Sequence, residues 1–113
     1  MRMKALIAAL STAALAVAII AGGSSRSEGA AADGAGVFRA KCAMCHAADG
    51  SGNTAAGKAF KVRDLRSADV QRQSDDQLFE IVAKGKGKMP AFEKTLGVGT
   101  CRDLVAFIRT LKG

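Results

Sequence analysis

Cys42-Ala43-Met44-Cys45-His46 is a C-x-x-C-H pentad, the attachment sequence for a covalently bound c-type haem. On a helix each residue turns the chain by about 100°, so Cys42, Cys45 and His46 share an arc of about 100°. Two sulfurs on that arc can form thioethers with the two vinyl groups of one porphyrin, while the adjacent imidazole points at the iron. Two other chemistries use similar residues. A redox dithiol also needs C-x-x-C but belongs beside a βαβ pattern, and no strand-helix-strand run is visible here. The pentad and Cys101 together offer three Cys and one His for zinc, yet adjacent Cys45 and His46 fit one tetrahedral ion awkwardly and no second C-x-x-C pair exists.

Upstream of the pentad the chain reads as an export leader. Arg2 and Lys4 give a positive start, and Ala5 to Ala21 is an apolar run broken only by Ser11 and Thr12. Residues 1–23 are therefore expected to be a signal peptide, cut after Ala21-Gly22-Gly23, with Ala30-Ala31-Ala32 as a second small-residue triplet. The alternative is an uncleaved anchor, for which this run lies at the short end of the roughly 17 to 25 residues that span a membrane. In either case the haem domain faces the periplasm. Residues 24–32, rich in Gly, Ser and Ala, read as a flexible linker, leaving residues 33–113 as the domain.

A domain of about 80 residues is marginal unless stapled. This one has no Trp, no Tyr and five Phe. A covalently held apolar disc at its centre supplies what the side chains do not.

The first helix is expected to begin near Asp33 as N-cap and run into the pentad, with Val37, Phe38, Cys42 and Cys45 on one face. Ser74-Asp75-Asp76-Gln77 is a capping box. It opens a helix that carries Leu78, Ile81 and Val82 on its apolar face and stops by Gly85. Thr100 and Asp103 suggest a second capping box at the start of the last helix, whose apolar face is Leu104, Val105, Phe107, Ile108 and Leu111.

With these residues in place the chain resembles the class I cytochromes c. Gly34 and Phe38, eight and four residues before the first Cys, look like that family's helix-packing pairs with Leu104 and Phe107. The resemblance covers about Asp33 to Gly113 and is closest to the small single-haem bacterial group of cytochromes c6 and c553. It implies an all-α fold: three to four short helices around one covalent haem c, with the N- and C-terminal helices packed crosswise.

Many relatives carry a proline after the pentad whose carbonyl receives the His Nδ1 proton. The one proline here is Pro90, so another backbone oxygen in the Gly50 to Lys58 loop is expected to serve. The family places a segment like Ala59 to Leu65 along the lower haem edge, where Arg63 or Arg66 could fork onto a propionate.

The second axial ligand follows by elimination. His46 is the only histidine, Met1 and Met3 lie in the leader, and Met44 lies inside the pentad. Met89 remains, in the loop Gly85-Lys86-Gly87-Lys88-Met89-Pro90-Ala91-Phe92, which also looks like the family's axial-Met loop. Thioether sulfur opposite imidazole favours ferrous iron and raises the potential. An open coordination position or a lysine ligand are the alternatives. Cys101, without a partner once two cysteines hold haem, is expected to be a buried, inert side chain.

The net charge of +7 comes from 17 Lys and Arg against 10 Asp and Glu. Lys84, Lys86, Lys88 and Lys94 gather around Met89 and could steer redox partner proteins with acidic docking surfaces. The export signal, and the lack of basic residues interleaved with aromatics, argue against nucleic acid. The expected function is one-electron transfer by a monomer without catalysis. The other class is a sensor or peroxidase-like domain with an open iron, which needs distal groups that a chain with one His and neither Tyr nor Trp scarcely offers.

Overall fold

A computed structural model describes residues 13–17 and 25–113. The leader assigned to residues 1–23 lies outside them except for residues 13–17. No helix of the described residues is long and apolar enough to cross a membrane. Six helical segments follow in order: α1 (Ser25–Lys41), α2 (Ala43–His46), α3 (Ala55–Ala59), α4 (Ala68–Gln71), α5 (Asp75–Lys84) and α6 (Glu93–Thr110). Among the described residues there is no strand, only an isolated bridge between Lys86 and Met89.

The core is where α1, α5 and α6 meet, built on Phe38, Leu78, Phe79, Val82, Cys101, Leu104, Val105 and Ile108. α1 packs against α6 through Gly34 and Phe38. A Cβ on Gly34 would meet the Asp103 carbonyl, and the Phe38 and Phe107 rings lie 4.9 Å apart at 50°. These are the pairings the family resemblance implies. Cys101 is fully buried, as expected.

The α5 boundaries follow from local chemistry. Ser74 Oγ accepts from Gln77 N (3.1 Å), and Gln77 Oε1 accepts from Ser74 N (2.8 Å), closing the capping box. Gly85, at φ 75°, ends the helix in a conformation a side chain would resist.

Three boundaries differ from expectation. α1 starts at Ser25, so residues read as a linker, 25–32, are helical and Asp33 is interior rather than N-cap. Ala30, Ala31 and Ala32 have the highest helix propensity and outweigh their glycine neighbours. The last helical segment starts at Glu93 and kinks at Gly97 (φ 84°, ψ 160°). Thr100 therefore lies inside the helix, and its capping box with Asp103 does not form. Finally, the expected three to four helices are divided into six helical segments among the described residues, because Cys42 interrupts the path from α1 into α2, and Thr54 and Ser67 each cap a single extra turn.

Candidate haem site

The pentad keeps a helical path despite the interruption. Cys42 N donates to Phe38 O (2.9 Å), and His46 N donates to Cys42 O (3.0 Å). At Ala47 the backbone leaves the helix at φ 63°, ψ 159° and enters the loop that the sequence places there.

That loop folds back beneath the pentad. Gly52 N donates to His46 O (2.7 Å), and the Thr54 hydroxyl donates to Cys45 O (2.8 Å) while accepting from Gly57 N (2.8 Å). Gly57 has to be glycine for this approach: a Cβ there would stand 2.5 Å from Cys45 O and 2.2 Å from Gly52 O. Thr54 and Gly57 were not singled out from the sequence. The available signal was a Thr at the head of a helical turn, but one turn is too short for periodicity to reveal.

Cys42, Cys45, His46 and Met89 all line one cavity of about 1040 Å³. One part of its wall is apolar, with Phe38, Val70, Leu78, Val82, Leu104 and Ile108 in it. Burial pushes the Cys42 thiol up to about 11, helped by the neighbouring Cys101 and Cys45, and lowers His46, favouring neutral imidazole. Among the described residues no three His, Cys, Asp or Glu side chains gather as a metal cluster requires, which disfavours the zinc arrangement. The three cysteines form no disulfide with one another.

His46 Nδ1 is buried without a hydrogen-bond partner, so the expected carbonyl from the Gly50 to Lys58 loop does not serve. Four of the loop's oxygens are engaged elsewhere: Gly50 O by Leu65 N, Gly52 O by Thr54 N, Thr54 O by Lys58 N and Gly57 O by Val62 N. Two thiols and the imidazole on one mostly apolar cavity that the Met89 thioether also reaches suit a large apolar iron macrocycle attached through sulfur.

Met89 is held by its own turn. Lys86 N donates to Met89 O (3.1 Å) and Met89 N to Lys86 O (2.9 Å), with Gly87 at φ 57° between them. Met44 also borders the cavity, on the pentad side, but is 79% exposed.

The cations divide differently from the sequence grouping. Lys86 and Lys88 line the cavity, joined by Lys41, Lys61, Arg63 and Arg72, with Asp69 the one acid in the lining. Lys84 instead pairs with Glu93. Of the two arginines considered for a propionate, Arg63 lines the cavity. Arg66 is forked onto Asp64 through two 2.9 Å bonds and lies 3.7 Å from Asp49.

Comparison with known proteins agrees with this geometry. Residues 29–108 match the profile of the family described as cytochrome c oxidase, cbb3-type, subunit III. The chain is 37% identical over 78 residues to cytochrome c6 of a Synechococcus sp. strain, an alignment that spans 68% of this chain and 66%, just under two thirds, of that relative. A solved c-type cytochrome, KustC0563, superposes with a TM-score of 0.67 at 28% identity, over 72% of this chain and 99% of its own. A point mutant of that cytochrome gives 0.64 at 29% identity, over 71% of this chain and 99% of its own.

Proposed function

Since the chain belongs to the class I c-type cytochromes, with covalently bound haem c as its cofactor, we propose that it is a one-electron carrier whose iron is held by His46 and Met89. The observation that carries this reading is the convergence of the two attachment cysteines, the only histidine and the Met89 thioether on one apolar cavity. Haem c supplies a ferric/ferrous couple there.

The chain's own residues shape that couple. Cys42 and Cys45 provide the thioether sulfurs and His46 the imidazole. Burial keeps that imidazole neutral, the form that can donate a lone pair to iron. Met89 offers a soft, uncharged sulfur, which stabilises the ferrous state relative to the ferric. The apolar part of the lining gives a low-polarity surrounding, which disfavours the extra positive charge of ferric iron.

Electrons enter and leave at the cavity mouth. Lys41, Lys61, Arg63, Arg72, Lys86 and Lys88 against Asp69 give it a positive field suited to an acidic redox partner. The positively charged start and apolar run of residues 1–21 support export, so the site is assigned to the periplasm.

The test is a visible spectrum of the oxidised and reduced holoprotein, with and without carbon monoxide. A low-spin six-coordinate haem whose ferrous form binds carbon monoxide only weakly, by displacing the thioether, is expected. Met89→Ala should keep the covalent haem, lower the potential and admit carbon monoxide; a variant unchanged in both respects overturns the ligand assignment. Cys42→Ala with Cys45→Ala should abolish covalent attachment and, with the core group lost, stable folding.

A further inference from the structure

We propose that the ion pair between Lys84 and Glu93 is a clasp that closes the Met89 loop and thereby governs how readily the thioether leaves the iron. This rests on Met89 being the axial ligand. Lys84 is the last residue of α5 and Glu93 the first of α6, and the loop 85–92 is all that lies between them. Lys84 Nζ and Glu93 Oε2 are 2.6 Å apart, so the pair ties the two ends of the loop directly.

The rest of the loop's neck is backbone. Phe92 N donates to Val82 O (3.2 Å), which lays the exit strand of the loop along the last turn of α5. Gly85 lets the chain double back: a Cβ there would stand 2.6 Å from Met89 O and 2.9 Å from Ala91 N. Above this neck the Lys86–Met89 turn presents the sulfur. Among the described side chains, Lys84 and Glu93 form the one ion pair that crosses the neck.

Each charge also suits its helix end. A cation in the last turn of α5 and an anion in the first turn of α6 both complement the local backbone dipoles, so the pair is oriented without straining either terminus. α6 in turn kinks at Gly97, four residues beyond Glu93, so its first turn is not rigidly held by the long second part of the helix.

An exposed pair is worth at most about a fivefold change in an equilibrium, which sets the expected size. Lys84→Gln and Glu93→Gln are therefore expected to raise carbon monoxide affinity of the ferrous holoprotein about two- to fivefold each. The double variant should do no more than either single one, because one interaction is lost in all three. High salt should raise the affinity of the parent and leave the variants nearly unchanged.

Lys94→Gln, which removes a neighbouring charge that makes no ion pair among the described residues, serves as the control and should match the parent. Equal affinity in parent and single variants overturns the clasp. So do additive effects in the double variant, or an effect of Lys94→Gln as large as that of Lys84→Gln. Met89→Ala is measured alongside. If it binds carbon monoxide strongly while the Lys84 and Glu93 variants behave as the parent, the clasp fails and the ligand assignment stands. If Met89→Ala matches the parent, the ligand assignment fails and the clasp falls with it.

Discussion

Gly34 of α1 lies against the backbone carbonyl of Asp103 in α6 so closely that a Cβ would stand 2.2 Å from the oxygen. The neighbouring Leu104 N is also within 3.1 Å of that position. Backbone on both sides leaves no flexible side chain to yield, so a methyl group must push the two helices apart.

Gly34→Ala is therefore expected to destabilise the holoprotein by about 1–3 kcal/mol, outweighing the roughly 1 kcal/mol of helix propensity that alanine brings. Gly36, two residues on in the same helix, has nothing within 4 Å of its would-be Cβ. Gly36→Ala should instead stabilise by about 0.5–1 kcal/mol. Thermal unfolding of the two variants should move in opposite directions, and a common direction contradicts the close-approach argument.

Ala47 sits at φ 63°, ψ 159°, a backbone region that is essentially glycine's alone. It is held there because the chain must turn at once from the pentad into the loop whose Gly52 N bonds His46 O. Ala47→Gly should relieve strain of about 1–3 kcal/mol while adding up to about 1 kcal/mol of unfolded-state entropy. A net gain of about 1 kcal/mol is expected in urea unfolding of the holoprotein; a loss would show that the alanine conformation is not strained.

Asp64 and Asp49 should make the protein acid-sensitive. The Arg66 side chain and backbone hydrogen bonds hold the Asp64 carboxyl below its usual range, and hydrogen bonds from Ser51 do the same for Asp49. A carboxylate whose folded value is depressed stabilises the fold above the unfolded value and loses that contribution as pH falls through the folded one. The urea midpoint should thus fall below about pH 4. Asp64→Asn should flatten the decline, most visibly at low salt because the pair is exposed.

The sequence made some of these features plain and concealed others for physical reasons. The Ser74 capping box and the Gly85 stop are each fixed by adjacent residues, and both stand in the structure as read. The start of α1 depends on a balance between Ala30 to Ala32 and nearby glycines, which tertiary packing on α6 tips toward helix. Gly97 was missed as the break because the Thr100 and Asp103 pattern drew the start of the last helix past it. The division of cations was hidden as well. Lys84 and Lys86 are close in sequence, yet one faces Glu93 and the other the cavity, while Lys41 and Lys61 arrive at that cavity from elsewhere in the chain.

Thr54 joins the loop to the pentad with a single hydroxyl, donating to Cys45 O and accepting from Gly57 N. Thr54→Val keeps the shape and removes both bonds, leaving the carbonyl and the amide without that partner at a part-buried position. Two lost hydrogen bonds with incomplete solvent replacement cost about 1–3 kcal/mol. The carbonyl belongs to the residue immediately before His46, so freeing it loosens the turn that aims the imidazole. Thr54→Val should therefore lower the thermal midpoint and also shift the reduction potential. Thr54→Ser, which retains the hydroxyl, should restore the potential and most of the stability. A Thr54→Val protein that is destabilised but keeps the parent potential would confine Thr54 to holding the loop.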